Sequence, residues 1–234
     1  MIIIPARLSS TRFPKKVLHP IDGLPMVIKT AQQAAQVDEV VIATDDESIL
    51  QVAKSHGFEA VMTNPHHKSG TDRVNEAAAI LGLDEKEIII NVQADEPFIE
   101  PEVIQKVKEL THKMRQNEEV MICSAYKKAP LPDSNDPHTV KVVLDGGAFA
   151  LYFSRSQIPY PQSTLERINI HLGIYGYTKK MLERFCSLPV APLEKIEGLE
   201  QLRALYHGYK IAMTQVVSRS IGIDTPADLE RLPL

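Results

Sequence analysis

The sequence predicts an α/β fold: a mixed, mainly parallel sheet with helices on both faces, with a partly antiparallel insertion in the second half. Three observations carry that expectation. Short β-branched runs alternate with helical patterns through the first half of the chain. Those runs are near-continuous, as expected of strands covered on both sides. After about residue 120, strand-like segments follow one another and the helices come later.

Ile2-Ile3-Ile4 reads as a buried strand, followed by strands at Val40-Val41-Ile42-Ala43, Ala60-Val61-Met62 and Ile88-Ile89-Ile90-Asn91-Val92. Helical patterns lie between and after them, near 25–36, 46–56, 71–81 and 101–115, with Pro25 and Pro101 suited to first turns. The later strands are 120–123, 140–144, 148–153 and 172–177, and Asp145-Gly146-Gly147 signals a hairpin. Helices near 178–186 and 194–207, a strand at 211–217 and a short helix after Asp224-Thr225-Pro226 complete the chain. No linker or repeat divides it. The expectation is a single domain over 1–234, with approximately 120–210 as its more variable part.

The chain has 234 residues, 44% hydrophobic and 24% charged, with a formal net charge of -4. That suits a globular core and argues against a nucleic-acid binder, which carries a basic surface. Cys123 and Cys186 have no ligand spacing and form no disulfide framework. No run is long enough to span a membrane, and Met1-Ile2-Ile3-Ile4-Pro5 lacks the basic flank of a signal peptide. A cytoplasmic protein is expected, with no membrane and no nucleic-acid partner.

Four segments carry candidate chemistry. Arg7-Leu8-Ser9-Ser10-Thr11-Arg12-Phe13-Pro14-Lys15-Lys16 leaves the first strand with cations and hydroxyls. In an open parallel sheet, ligands bind beyond the strands' carboxyl ends, and Arg and Lys there suit a polyphosphate. A solvated basic loop is the plain alternative. Neither a Walker loop nor a G-x-G-x-x-G run is present. Asn91-Val92-Gln93-Ala94-Asp95-Glu96-Pro97 follows the fourth strand; Asp95 suits magnesium beside phosphate, or a turn. Ser69-Gly70-Thr71-Asp72-Arg73 opens a helix and suits a phosphate, a base or merely an N-cap. Gly222-Ile223-Asp224-Thr225-Pro226 offers a second acid, with capping again the alternative. His171, Tyr175, Glu200 and Gln201 make no metal or triad spacing, and Glu197, Glu200 and Arg203 read as an ion-paired helix face.

Together these segments resemble the CMP-Kdo synthetases, the 3-deoxy-manno-octulosonate cytidylyltransferases. The similarity runs almost end to end. It includes Ile4-Pro5-Ala6-Arg7, Ser10-Thr11-Arg12, Ala43-Thr44-Asp45-Asp46, Ser69 to Arg73 and Gln93 to Pro97. Ala150-Leu151-Tyr152-Phe153-Ser154-Arg155, His171-Leu172-Gly173-Ile174-Tyr175, Leu199-Glu200-Gln201-Leu202-Arg203 and Gly222-Ile223-Asp224-Thr225 extend it, the first three of these being more particular to the Kdo enzymes.

The resemblance implies a nucleotide-diphospho-sugar transferase domain, usually a homodimer, that uses CTP to activate Kdo for lipopolysaccharide biosynthesis. It implies that Arg7, Ser10, Arg12 and Lys16 meet the CTP phosphates, and that Ser69, Gly70, Arg73 and Gln93 lie at the nucleotide. Arg7, Lys16, Asp95 and Asp224 are the expected catalytic set, with Asp95 and Asp224 as ligands to Mg²⁺. Gln93, His171, Tyr175, Glu200 and Gln201 would line the sugar pocket, and residues 120–210 would serve sugar binding and dimerisation.

Two departures stand out. Ala94 replaces the family's usual glycine, and a left-handed backbone there would strain the loop. The segment after Ile158-Pro159-Tyr160 is short, where family members carry an arginine for the sugar carboxylate; Arg167 is the expected replacement, with Gln162 the fallback. The shortened loop leaves amino-Kdo or sialic acid as alternative sugars, and a non-catalytic nucleotide-binding module as an alternative of another class.

Overall fold

The computed structural model describes residues 1–9, 13–130, 136–163 and 166–229. The chain opens with β1 (Ile2–Ala6), then a small hairpin of β2 (Pro20–Ile21) and β3 (Leu24–Pro25). It continues through α1 (Met26–Ala34), β4 (Val40–Thr44), α2 (Glu47–Ser55), β5 (Glu59–Met62), α3 (Gly70–Ile80), β6 (Ile88–Val92) and α4 (Pro101–Met114). The second half supplies β7 (Val120–Pro130), β8 (Lys141–Leu144), β9 (Ala150–Ser154), β10 (Arg167–Thr178) and α5 (Lys179–Ser187). After these come α6 (Pro192–Glu197), α7 (Leu202–Tyr206), β11 (Lys210–Gln215) and α8 (Pro226–Leu229).

The main sheet has the order β11-β7-β10-β6-β1-β4-β5, with β8 and β9 attached through β10. β1, β4, β5 and β6 are mutually parallel, β10 runs antiparallel to β6 and β7, and β11 pairs parallel with β7. The first strand shows why its run is unbroken. Ile2 and Ile4 belong to one apolar cluster with Ala31 of α1, Ile49 of α2 and Val107 of α4. Ile3 faces the other way, onto Val74 and Ala77 of α3 and Leu182 and Phe185 of α5. Every residue of β1 is buried, so both faces are apolar.

The antiparallel second half is continuous with this sheet through β10 and β6. β7 and β10 are longer than their apolar runs, because their outer ends pair with each other from Pro130 and Arg167 onward. The helix expected over 194–207 is two helices. Gly198, at φ 62, ends α6 in a left-handed turn, and Leu199-Glu200-Gln201 lie between the pieces. Asp22 and Gly23, both at positive φ, make the β2–β3 turn, an Asp-Gly signal that the apolar patterns did not carry. At the expected 145–147 hairpin, Ala148 takes the left-handed conformation, while Asp145 Oδ1 accepts hydrogen bonds from Gly147 N and Phe149 N.

Where β10 crosses α4, Gly176 leaves no room for a side chain. A Cβ there would lie 2.0 Å from Thr111 Oγ1 and 3.2 Å from Ile90 Cδ1. Gly176→Ala is expected to destabilise the fold by about 1–3 kcal/mol, by overpacking. Adding Thr111→Ala should recover part of that loss, and urea unfolding of the two single variants and the double variant measures it. Purely additive losses would contradict the account.

Candidate active site

The carboxyl ends of β1 and β6 open onto a cleft of about 550 Å³. Its walls are the loop after β1 (Arg7, Ser9, Lys16), the start of α3 (Ser69, Gly70, Arg73), the loop after β6 (Gln93, Ala94, Asp95), and Asp224 and His67. Four of the chain's dispersed segments therefore meet where an open parallel sheet binds its ligand.

Lys16 stands at the centre. Its Nζ donates to Asp95 Oδ2 at 2.6 Å and to Asp224 Oδ1 at 3.2 Å. The residue is 9% exposed, so the ammonium meets the two carboxylates in a partly desolvated place. Asp95 and Asp224 are 129 positions apart in sequence, and a backbone bond from Ile223 N to Asp95 O, 2.9 Å long, joins their loops. Asp228 caps the turn that follows Asp224. Asp228 Oδ2 takes the N–H groups of Asp224 and Thr225, at 3.0 and 2.8 Å, and so closes the turn before α8.

The α3 entrance combines capping with access. Ser69 Oγ accepts from Asp72 N at 3.0 Å as an N-cap, and Ser69 also lines the cleft. A Cβ on Gly70 would come within 3.2 Å of Pro5 Cγ and 3.6 Å of Gln93 Oε1, so glycine lets the helix start approach β1 closely. Arg73 is 3% exposed; its guanidinium is bound to Asp45 Oδ2 at 2.8 Å and to Thr63 Oγ1. It braces the cleft wall from behind, and Arg7 is exposed at the mouth. Gln93 Nε2 donates to Asn91 Oδ1 at 3.0 Å. Ser10 and Arg12 lie outside the described residues. Ala94 is absent from the positive-φ residues, and its carbonyl accepts from Thr30 Oγ1 at 3.1 Å. The methyl is accommodated without backbone strain.

The expected sugar-side residues gather in a second group, beyond the cleft lining. His171 Nε2 lies 2.9 Å from Ser124 Oγ, and the Ser124 hydroxyl donates onward to Ile174 O at 2.7 Å. Nε2 therefore carries the proton, while Nδ1 faces Gln201 Nε2 at 3.5 Å. Tyr175 OH reaches Gln201 Oε1 at 3.5 Å. Glu200 Oε2 accepts from Thr71 Oγ1 at 2.7 Å, which links this group to the helix that lines the cleft. Glu200 Oε1 is buried without a hydrogen bond, with Arg203 Nη2 3.7 Å away. Arg203 is instead held by Glu194, at 2.6 and 3.0 Å. Arg155 and Glu197 form a clasp of their own: Arg155 N and Ser154 Oγ bond the Glu197 carboxylate, and Arg155 Nε bonds its carbonyl.

Arg167 is exposed at the first position of β10. It shares a strand face with His171 but stands four residues away, roughly 13 Å along the strand. The structure does not bring it to the His171 group. Gln162 is likewise exposed.

The two cleft carboxylates fit a divalent cation. They already converge on one positive charge, and two carboxylate oxygens completed by phosphate and water suit Mg²⁺. Among the described residues no group of three or more His, Cys, Asp or Glu forms a further metal cluster.

A cytidylyltransferase family model matches residues 1–211. The chain belongs to the cytidylyltransferase family. It is 70% identical over 232 residues to the 3-deoxy-manno-octulosonate cytidylyltransferase of a Nitratiruptor species, covering 99% of this chain and 98% of that one. An enzyme of the same name from Helicobacter pylori is 50% identical over 235 residues, 98% of this chain and 95% of that one. Among solved structures, a CMP:2-keto-3-deoxy-manno-octonic acid synthetase complexed with CTP superposes with a TM-score of 0.89 at 38% identity, covering 98% and 95% of the two chains. The nucleotidyltransferase fold read from the sequence is thus the observed one.

Two residues of this cytidylyltransferase were missed by the sequence argument. His67 lines the cleft, its Nε2 2.6 Å from Glu76 Oε2; its only signal was a place two residues before Ser69-Gly70. Glu96, beside Asp95, has its carboxyl pushed up to about 7 by burial and by the neighbouring Asp95 charge. Burial likewise raises the Glu200 carboxyl, against the lowering effect of Thr71 and Ser69 hydroxyls.

Burial holds His171 neutral, depressed from 6.5 to about 3. The unfolded chain therefore takes up a proton below pH 6.5 that the folded chain refuses. The associated stability is fully present above pH 6.5 and is lost as pH falls toward 3. His171→Gln should flatten the decline of Tm between pH 6.5 and 4.5 relative to the parent, as thermal unfolding across that range will show. Parallel curves would mean that His171 titrates normally in the fold.

Proposed function

We propose that this chain transfers the cytidylyl group of CTP to Kdo, giving CMP-Kdo and pyrophosphate. The observation that carries the reading is the meeting of Asp95 and Asp224 on Lys16, inside the cleft at the end of β1. The relatives' names supply the substrates. A synthetase complexed with CTP shares the fold over nearly its whole length.

The C2 hydroxyl of Kdo attacks the α-phosphorus of CTP; a new P–O bond forms as the bond to the β-phosphate breaks. The difficulty is charge, because an anionic sugar must approach an anionic triphosphate. Asp95 and Asp224 would hold Mg²⁺, which would supply positive charge at the triphosphate and favour loss of the hydroxyl proton. Lys16 would then be free to meet phosphate oxygens. Lys16, with Arg7 and Arg12, then stabilises the charge that develops on pyrophosphate. Ser10, with Ser69 and Gly70 at the start of α3, offers further donors to the nucleotide. Arg73 keeps that helix start in place, and Gln93 stands between the two substrates. His171, Tyr175, Glu200 and Gln201 serve the sugar, with Glu200 Oε1, which accepts no hydrogen bond, able to accept one from a sugar hydroxyl. Positioning of the two reactants supplies much of the remaining acceleration.

The same reading makes the protein a homodimer acting in the cytoplasm, in lipopolysaccharide biosynthesis. Residues 120–210 contribute the sugar-binding and dimerising part. Leu151, Leu193, Ile196 and Tyr206, all in that part, are large apolar side chains left exposed. No helix among the described residues is long and apolar enough to cross a membrane.

Asp95→Asn and Asp224→Asn should each lower turnover at least about a hundredfold with the fold intact, since each removes a cation ligand at the reacting phosphate. Pyrophosphate release at several Mg²⁺ concentrations measures this; near-normal turnover at limiting Mg²⁺ would reassign that acid to structure. CTP should exceed UTP by roughly ten- to a hundredfold in kcat/KM, because an unpaired buried polar atom at the exocyclic position costs about 1–3 kcal/mol. The assay, run with Kdo, amino-Kdo and sialic acid, also tests the sugar. Equal rates with UTP would refute the nucleotide assignment, and a preference for another acidic sugar would refute Kdo.

A further inference from the structure

Asp224 is brought to the cleft by a segment with no regular structure. Between Gln215, the last residue of β11, and Pro226, the first of α8, the backbone forms no helix or strand. Val216 is buried in the main apolar cluster, but Val217 beyond it is 91% exposed, and the next fully buried apolar side chain is Ile223. The place of Asp224 therefore depends on how the residues between those two anchors are held, and a cation site tolerates little movement.

Between Val216 and Ile223, what holds the segment is polar. Glu100 Oε2 accepts from Ser218 Oγ at 2.7 Å and Oε1 from Arg219 N at 2.6 Å. Glu96 Oε2 accepts from Ser220 Oγ at 2.7 Å. From the opposite direction, Lys127 Nζ donates to Ser220 O at 3.1 Å and to Ser218 O at 3.4 Å. Side chains from β7 and the β6–α4 loop thus grip residues 218–220 on both donors and acceptors. The grip continues forward. A Cβ on Gly222 would stand 3.0 Å from Glu96 Oε1, so the backbone passes directly over that carboxyl. Ile223, fully buried against Phe13, Ile21 and Met26, then bonds Asp95 O through its N–H.

Glu100 shows that this is more than a helix end. It occupies the N-cap position of α4, yet its carboxylate makes no cap bond to that helix. Both oxygens turn to the segment instead. Glu96 adjoins Asp95 in sequence, so the same short loop carries one cleft acid and holds the chain that delivers the other.

We propose that Glu96, Glu100 and Lys127 are positioning residues that set the distance between Asp224 and Asp95, and thereby the cleft's affinity for its divalent cation. The proposal rests on the reading of Asp224 as a metal ligand. None of the three lines the cleft; they act through the segment 218–223.

The test uses the full chain and two readouts: Mn²⁺ binding followed by electron paramagnetic resonance without nucleotide, and the Mg²⁺ concentration for half-maximal turnover at saturating CTP and Kdo. Glu96→Ala with Glu100→Ala should weaken Mn²⁺ binding and raise the Mg²⁺ requirement by about tenfold or more. Glu96→Gln with Glu100→Gln keeps one acceptor oxygen at each place, where Glu100 uses two, and should recover part of the loss. Ser218→Ala with Ser220→Ala removes the two hydroxyl donors, together with the acceptor that Ser218 Oγ offers to Ser220 N, and guards against a variant that fails to fold; it should move both readouts in the same direction. Asp224→Asn, measured alongside, separates the two ideas. If Asp224→Asn abolishes Mn²⁺ binding while the alanine and serine variants bind as the parent does, the positioning proposal is overturned. If Asp224→Asn itself binds normally, the metal reading falls, and the proposal with it.

Discussion

The arrangement of the site depends on one cation between two carboxylates. Asp95 and Asp224 come from loops far apart in sequence, and bringing two negative charges together costs free energy unless a positive charge meets both. Lys16 does so, at 2.6 and 3.2 Å. Its own loop leaves β1, whose five residues are buried on both faces and cannot shift without disturbing two apolar clusters. The position of the ammonium is thereby tied to a fully buried strand of the sheet, and the carboxylates are drawn to it.

The rest of the fold serves that meeting point from two sides. The parallel half places the ends of β1 and β6 together and lets α3 begin at the cleft, where Gly70 permits close approach to Pro5. The antiparallel half adds the strand β10, whose pairing with β6 carries Tyr175 opposite Asn91. From there the chain of contacts through His171, Gln201, Glu200 and Thr71 returns to the start of α3. The cleft and the His171 group thus share one helix, as the proposed function requires of an enzyme that holds two substrates in line.

The parallel half was legible because β-branched runs such as Val40 to Ala43 can only be covered strands, and because Arg7, Lys16 and Asp95 follow strand ends. Resemblance to known enzymes carried what periodicity did not, above all the sugar-side group. The break at Gly198 was hidden because apolar spacing continues through Leu199 and Leu202, and only the left-handed φ interrupts it. The part that Asp228 plays in the last turn was hidden for a similar reason. Asp224 and Asp228 flank the same turn, and sequence alone does not say which carboxylate faces inward. Glu96 and Glu100 gave no signal at all, since their partners lie more than a hundred positions away on a segment without periodicity. The doubt over Ala94 dissolved once its backbone proved to lie outside the left-handed region.

If Lys16 occupies the place of a divalent cation between the two acids, removing its charge should leave a pair of carboxylates in want of a counterion. The direct measurement is Mn²⁺ binding by electron paramagnetic resonance to Lys16→Met and to the parent, both without nucleotide. The account predicts that Lys16→Met binds the ion at least about tenfold more tightly, the scale of one partly desolvated charge interaction, while turnover is lost. Unchanged or weaker Mn²⁺ binding in that variant would contradict it, and Asp95 and Asp224 would then be partners of a structural lysine rather than the site's cation ligands.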